Sequence, residues 1–338
     1  MYSLKKTNSL VIFKNQKIFQ AIDKINKSKT KILFVVNENN KLLGSISSGD
    51  IRRSIRKKID LNQSVQKIMF KSPKYLLKKE KIAVSKEYLI CIPIVNNNRE
   101  IIDFQFSQIV RKDKKNTIFL MAGGKGTRLL PLTKKTPKPL LKIKGIPIIE
   151  KIILNFRNQG FKNFTISVNY LAHKIKKYLG DGKKLRVNIT YINEKKYLGT
   201  AGSLSLINLK KTIFPIIIAN SDLISEIDYN NLISYHNKKT SDLTICAKNK
   251  IFKMPYGEIV QNQDKIRKII EKPSIYHLVN AGVYVANKGI LKNIIKNEQL
   301  MMNEFINKQL KKNKKVYSYP VYENWIDIGN KIDFYNYR

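Results

Sequence analysis

Cysteine, tryptophan and histidine are scarce in this chain of 338 residues, which holds 2 Cys, 1 Trp and 3 His. Cys91 and Cys246 stand far apart in apolar, strand-like surroundings. They read as two buried free thiols in a cytoplasmic protein, which excludes a disulfide framework or a cysteine metal site. His173, His236 and His277 show no metal-ligand spacing and read as surface or helix-end residues. Long apolar runs are missing too. The apolar runs present, such as 32–36 and 216–219, are strand-length, against the roughly 18 residues that a membrane-spanning helix needs. No apolar segment follows Lys5 and Lys6, so no secretory leader is expected.

Acidic residues are few: 24 Asp and Glu face 65 Lys and Arg, a net charge of +41. Such an excess invites a nucleic-acid reading. The lysines, however, are spread along the whole chain, and no recognition-helix or base-stacking motif accompanies them. They travel with Asn and Ile, residue types that share A/T-rich codons, so base composition accounts for much of the excess. The rest suits a polyanionic substrate, and no nucleic-acid partner is expected.

Hydrophobic content of 43%, with 17 Tyr and 14 Phe, is ample for packed cores, and the length suggests two domains. The charged stretch 111–116 lacks apolar periodicity and reads as a linker, dividing the chain into 1–113 and 114–338. Before it the pattern is βαββα-like: an amphipathic helix over 18–25, strands over 31–36 and 42–46 around a polar turn, and a helix over 50–56. Asp50 is its N-cap or first-turn acid. A weaker strand-turn-strand copy runs from Ile92 to Ile102, and its Ser107-Gln108-Ile109-Val110 lacks the acid. After the break, strands (117–121, 163–168, 187–191, 214–219) alternate with helices (148–158, closed by Gly160; 174–179; part of one over 204–208). This rhythm predicts an α/β fold with a Rossmann-like, mostly parallel sheet, preceded by a smaller α+β module. Ligands of such sheets bind at the carboxyl ends of strands, where Gly123 to Arg128 and Asp222 both fall.

The loop Gly123-Gly124-Lys125-Gly126-Thr127-Arg128 lets backbone amides approach a polyphosphate, because glycine has no Cβ in the way. It lacks the Gly-Lys-Ser/Thr ending of a Walker loop and the spacing of a dinucleotide fingerprint. It is followed by Pro131-Leu132-Thr133, Thr136-Pro137-Lys138-Pro139-Leu140-Leu141 and Gly145-Ile146-Pro147. Over 121–149 the chain closely resembles the sugar-1-phosphate nucleotidyltransferases, with Met121 where Leu is usual. The resemblance implies that Ala122, Gly123, Gly124, Gly126 and Thr127 cradle a nucleoside triphosphate while Arg128 and Lys138 grip its phosphates. Leu198-Gly199-Thr200-Ala201-Gly202 is similar to the family segment that lies against base and ribose, which places Gly199, Thr200 and Ala201 there. Asn220-Ser221-Asp222, with Ser for the usual Gly, and Trp325-Ile326-Asp327-Ile328-Gly329 resemble the segments whose aspartates hold Mg²⁺, so Asp222 and Asp327 are the implied metal ligands. Tyr256-Gly257, Glu271-Lys272-Pro273 and Asn280-Ala281-Gly282-Val283-Tyr284 resemble the acceptor side, which assigns Gly257, Glu271, Lys272 and Asn280 to the sugar phosphate.

The stretch Val35 to Arg53 resembles a cystathionine-β-synthase-type (CBS) module, which makes 1–113 a CBS pair with a degenerate second copy. Ser47 and Asp50 match the spacing with which such modules hold an adenylate ribose; a purely structural or dimerising module is the alternative, and a homo-oligomer through the module is expected. The chain given ends at Arg338 without the left-handed β-helix of acetyl-transferring relatives, so a single activity is expected. A CBS pair ahead of this domain resembles the glucosamine-1-phosphate guanylyltransferases of bacterial legionaminic acid synthesis. The expected reaction is nucleotidyl transfer from GTP to glucosamine 1-phosphate, giving a nucleotide sugar for surface glycans. A mannose-1-phosphate guanylyltransferase and a glucose-1-phosphate uridylyl- or thymidylyltransferase are the neighbouring alternatives. A non-catalytic nucleotide sensor is the alternative of another class.

Overall fold

Two small sheets of one design make up the N-terminal third. The computed structural model describes residues 9–28, 30–77, 91–106 and 113–338. In the first sheet β1 (Val11–Phe13) lies parallel to β2 (Ile32–Val36), which pairs antiparallel with β3 (Leu42–Ser47). Between them α1 (Ile18–Lys27) buries Ile18, Ala21 and Ile25 along one stripe, and α2 (Ser48–Arg56) follows β3. Ser47 is the N-cap of α2, so Asp50 is its first-turn acid and not the cap itself. In the second sheet β4 (Leu76–Leu77) is parallel to β5 (Cys91–Val95), and β5 pairs antiparallel with β6 (Ile101–Phe106). The parallel-then-antiparallel order is repeated. The two hairpin turns meet, with the Leu42 N–H on the Arg99 carbonyl at 2.8 Å and Phe34 facing Phe104 across 5.4 Å between ring centroids. The segment 107–110 of the expected second copy lies outside the described residues.

The first strand of the larger unit, β7 (Lys114–Ala122), begins inside the stretch read as linker. Lys114, Lys115 and Asn116 extend the sheet because their polar groups find partners there: the Lys114 N–H donates to the Gly160 carbonyl at 2.7 Å and the Asn116 amide to the Pro215 carbonyl at 2.9 Å. Arg111 and Lys112 lie outside the described residues. A short hairpin, β8 (Lys142–Ile143) and β9 (Ile146–Pro147), leads into α3 (Ile148–Asn158). Then come β10 (Phe161–Val168), α4 (Ala172–Leu179), β11 (Asn188–Asn193) and the single turn α5 (Gly199–Gly202). The helix expected over 204–208 is instead a 3-10 turn, Ser203–Leu206, running on from α5. Next are β12 (Ile216–Asn220), β13 (Leu223–Ser225), α6 (Tyr229–Lys238) and β14 (Leu243–Lys253). An exposed arm follows, β15 (Glu258–Asn262) and β16 (Lys265–Ile270), before β17 (Ser274–Ala286) returns to the sheet. The chain closes with α7 (Lys288–Leu291), α8 (Met302–Lys311), β18 (Val316–Val321), β19 (Trp325–Asp327) and α9 (Lys331–Tyr337).

The central sheet has seven strands in the order β11-β10-β7-β12-β17-β14-β18, and β17 alone runs against the rest. The continuous apolar runs are the reason both faces are covered. Ile118 and Leu120 of β7 join one core with Ile153, Phe156 and Ile166, while Phe119 joins the other with Ile218, Leu204 and Phe305. Helix α3 buries Ile148, Ile149, Ile152, Ile153 and Phe156, a face that presses Phe156 flat on Tyr229 at 3.9 Å between centroids. No helix among the described residues is long and apolar enough to cross a membrane. Cys91 and Cys246 are free and buried.

Candidate active site

β7 and β12 lie side by side at the middle of the sheet, so the loops leaving their carboxyl ends face each other. Between them opens a cleft of about 600 Å³, lined by the whole run Met121 to Leu129 together with Lys138, Pro139, Glu194, Tyr197, Gly199, Thr200, Ser203, Asn220, Ser221, Asp222, Met301 and Gly329. The volume suits a nucleotide-sized ligand. Gly123 is packed so tightly that a Cβ would stand 2.5 Å from Glu194 Oε1. Gly126 is left-handed at φ +66°, and a Cβ there would stand 3.0 Å from side-chain atoms of Lys138 and Thr133. Any side chain at either position would push apart the two walls the loop joins. Thr133 ties the loop down by donating to the Gly126 carbonyl at 2.9 Å. Lys125, Thr127 and Arg128 are exposed into the cleft.

Lys138 and Asp222, 84 residues apart, form a charge-assisted pair inside the cleft between Nζ and Oδ2. The lysine is buried, and its amine meets the carboxylate instead of standing free for phosphate. The other carboxylate oxygen, Asp222 Oδ1, is buried with no hydrogen-bond partner. Asp327 enters the same field: burial and then Asp222 raise its pKa above the ordinary value, with Lys138 and Arg128 pulling it down. An orphaned buried carboxylate oxygen beside a second carboxylate is the donor chemistry of a hard divalent cation, completed by phosphate oxygens and water. Among the described residues no group of three or more His, Cys, Asp and Glu gathers, so two carboxylates are what the chain offers such an ion. Ser221, where the family pattern has Gly, is satisfied by donating from Oγ to the Met121 carbonyl at 2.7 Å.

Glu194 is a site residue that no motif announced. It follows β11 directly, lines the cleft and is buried. Its Oε1 accepts from Ser167 Oγ at 2.6 Å and its Oε2 from the Leu198 N–H at 3.0 Å. Its place at a strand's carboxyl end, just ahead of Gly199, was the available signal. Gly199, Thr200 and Ala201 sit on the adjoining turn. The smallness of Gly199 answers first to packing, since a Cβ would stand 2.5 Å from the Leu300 carbonyl oxygen, whereas the expected reason was the approach of a base. Thr200 Oγ1 accepts from the Met302 N–H at 2.8 Å, tying this turn to the start of α8.

The acceptor residues are not brought into the cleft. Glu271 and Lys272 lie exposed beyond β16, 4.0 Å apart as an ion pair, and Gly257 stands opposite Glu271 at the base of the same arm. Asn280 spends both ends of its amide on β17 itself, accepting from the Gly282 N–H at 2.9 Å and donating to the Tyr284 hydroxyl at 2.8 Å.

Elsewhere, Ser47 and Asp50 close a capping box on α2: the Ser47 N–H and hydroxyl donate to Asp50 Oδ2 at 2.8 and 2.6 Å, and Arg53 pairs with Oδ1. His173 and His277 are exposed, whereas His236, in the last turn of α6, is buried against Thr244 Oγ1 at 2.8 Å, and burial holds its pKa below the ordinary value.

The nucleotidyl transferase family model matches residues 117–338, and the CBS domain model matches residues 3–57. A mannose-1-phosphate guanyltransferase of Pichia angusta is 34% identical over 226 residues, covering 64% of this chain and 61% of that protein. The mannose-1-phosphate guanyltransferase of Saccharomyces cerevisiae is 33% identical over 226 residues, covering 64% and 62%. The chain thus spans about 61% of the length of the curated relatives it matches. The crystal structure of HddC from Yersinia pseudotuberculosis, also solved as a complex with GMP-PN, superposes at a TM-score of 0.53 with 25% identity, covering 66% of this chain and 97% of that one.

Proposed function

We propose that this chain, which belongs to the nucleotidyl transferase family, transfers a guanylyl group from GTP to a hexose 1-phosphate and releases pyrophosphate. The observation that carries the reaction is the convergence of the glycine loop, Arg128, Lys138 and Asp222 on one cleft, with Asp222 Oδ1 buried and unpartnered. A phosphate oxygen of the sugar forms the new bond to the α-phosphorus, and the bond to the β-phosphate bridging oxygen breaks. The attacking oxygen is already anionic at neutral pH, so no base is needed. What the chain must supply is alignment and positive charge. Arg128 faces the open cleft for this purpose, and Lys138 turns Asp222 so that its free oxygen points away from the pair. Asp222 and Asp327 would hold Mg²⁺, which neutralises phosphate charge when bound. The intact cationic and acidic set argues against a non-catalytic sensor.

Glu194 supports guanine. Each oxygen of its carboxylate already accepts one internal bond and keeps a second lone pair, so the pair can still meet the adjacent N1–H and N2–H₂ donors of guanine, whereas uracil and thymine present one N–H between two carbonyl oxygens. The mannose-1-phosphate guanyltransferases among the relatives support mannose 1-phosphate as acceptor. The CBS module ahead of the catalytic unit favours glucosamine 1-phosphate as the second reading. Gly257, Glu271, Lys272 and Asn280 are proposed for the sugar phosphate, which requires the arm to approach the cleft. Part of the reading are also a cytoplasmic setting, an adenine nucleotide at Ser47 and Asp50, and a homodimer through the N-terminal module, where Phe13 is 47% exposed. The deciding experiment crosses four nucleoside triphosphates with a panel of hexose 1-phosphates and measures pyrophosphate release. Release with GTP alone among the four supports the proposal, and equal release with UTP overturns the guanine reading.

A further inference from the structure

The two modules are joined at a buried ion pair. Arg52 of α2 is 8% exposed and Glu323 is 1% exposed, and the guanidinium donates from Nη2 to Glu323 Oε1. The same guanidinium lies 4.6 Å from the ring centroid of Tyr319 and 5.1 Å from that of Tyr322. All three partners belong to the end of β18 and the turn after it. Tyr322 packs into the N-terminal core beside Ile18, Ile46 and Ile51, and its carbonyl accepts from the Asn26 amide at 3.2 Å. From the opposite side Lys248 of β14 donates to the carbonyls of Tyr322 at 3.1 Å and Glu323 at 2.7 Å. The run Glu323-Asn324-Trp325-Ile326-Asp327 then leads straight from this turn to Asp327, the register partner of Leu223 beside Asp222.

We propose that Arg52 is a positioning residue for the catalytic site: by holding Glu323 it fixes the turn from which β19 departs, and with it the place of Asp327 opposite Asp222. β19 itself is short, paired as Leu223↔Asp327, Ile224↔Ile326 and Ser225↔Trp325, with Trp325 Nε1 donating to the Ala281 carbonyl at 2.9 Å. The Glu226 N–H on the Asn324 carbonyl at 2.9 Å and the Ile328 N–H on the Asp222 carbonyl at 3.2 Å hold its two ends to the β13 side, and the Glu323 turn holds its entry to the N-terminal module. Deprived of its guanidinium, the buried Glu323 carboxylate keeps the Tyr322 N–H at 3.2 Å but is left undercompensated, and relieving that by reaching water moves the turn. A displacement of about 1 Å at a reacting centre costs on the order of a hundredfold in rate. The N-terminal module is on this view a working part of the catalytic unit. The effect on turnover rests on Asp327 acting as proposed above, but the effect on the strand does not.

Trp325 is the only tryptophan in the chain, so its emission reports on β19 without metal, substrate or turnover. The full chain is compared as wild type, Arg52→Met, Arg52→Lys and Glu323→Gln, with circular dichroism to confirm folding. The expected result for Arg52→Met is red-shifted, more readily quenched Trp325 emission and a kcat lower by about tenfold or more, with KM for GTP within about twofold because the glycine loop is untouched. Arg52→Lys should fall between, since it keeps the charge but loses the planar fork and the ring contacts. If Arg52→Met does not fold, Glu323→Gln, which keeps the side-chain shape, gives the same readouts. Unchanged emission in the folded variants overturns the proposal. Shifted emission with unchanged kcat overturns its catalytic part, and Asp327→Asn assayed alongside shows whether Asp327 is needed at all. Full activity of Asp327→Asn would place the failure in the metal reading.

Discussion

Asp327 is the register partner of Leu223 in the β13–β19 ladder, and the Asp222 carbonyl accepts the Ile328 N–H at 3.2 Å. This arrangement sets a second carboxylate in the field of the first at the end of the central strand. Burial and the Asp222 charge are what raise the Asp327 pKa above its ordinary 3.8. A carboxylate raised in this way binds more protons folded than unfolded, so it lowers the stability of the metal-free protein as pH rises from 3.8 through the raised value. Asp327→Asn removes that penalty. The metal-free variant is expected to melt above wild type at neutral pH and to converge with it at the acid end, as read by calorimetry across pH. Protons also compete with a cation for this group, so the Mg²⁺ giving half-maximal rate should climb as pH falls toward the raised pKa. A melting temperature at neutral pH equal to wild type refutes the like-charge account.

Asp222→Asn tests the centre of the site. The amide keeps the size of the carboxylate but not its charge, so Lys138 loses its counterion and a cation held as proposed loses one of its two carboxylates. Turnover should fall below about a tenth of wild type, and the melting temperature should drop modestly because a buried lysine is left unpaired. Rates above that level in steady-state pyrophosphate release would sink the metal assignment.

Glu194→Gln tests the base. An amide presents only one acceptor to guanine and turns a donor toward the second N–H, so the expected effect is a rise of about 10-fold or more in KM for GTP, with kcat changed less. The ratio of kcat/KM for GTP over UTP should shrink by the same factor. An unchanged ratio means that another group reads the base.

The cleft was readable where its residues are contiguous. The run from Ala122 to Arg128 is a strand end and a loop, and both the continuous apolar run of the strand and the glycines of the loop are local signals. Lys138, Asp222 and Asp327 came from resemblance, because no local rule joins residues that meet only when β7 and β12 lie side by side. Glu194 had a strand end but no motif, so its role appears only once Ser167 and Leu198 are seen to orient it. The linker reading took in Lys114 to Asn116, which belong to β7, for a similar reason: Lys114 and Asn116 look solvated in sequence, and their partners, Gly160 and Pro215, come from far along the chain. The acceptor motif was legible as a pattern, yet Gly257, Glu271 and Lys272 lie on an arm outside the cleft and Asn280 is engaged within β17. A pattern of residues carries no information on how far two rigid parts stand apart. Arg52 carries no sequence signal of its own, because its partner Glu323 is 271 residues away.

Asp50 offers the last test, because it does two jobs if the module binds an adenylate. One oxygen, Oδ2, is committed to the Ser47 N–H and hydroxyl and holds the start of α2. The other, Oδ1, is met by Arg53, whose side chain is 57% exposed and free to swing into solvent. A pair of ribose hydroxyls can take that place without undoing the cap, since only the exposed guanidinium has to move and Oδ2 keeps its bonds to Ser47. AMP or ATP at about a hundred times its dissociation constant should then stabilise the chain by roughly 2.7 kcal/mol, visible as a rise of several degrees in melting temperature. Arg53→Ala should leave the response intact or sharpen it, whereas Asp50→Ala should abolish it. The same Asp50→Ala change should lower the ligand-free melting temperature by the equivalent of about 1 kcal/mol, as expected for a lost helix cap. Thermal shift with both nucleotides decides the matter: no rise in the wild type leaves Asp50 as the first-turn acid of the capping box alone and the module as a structural support.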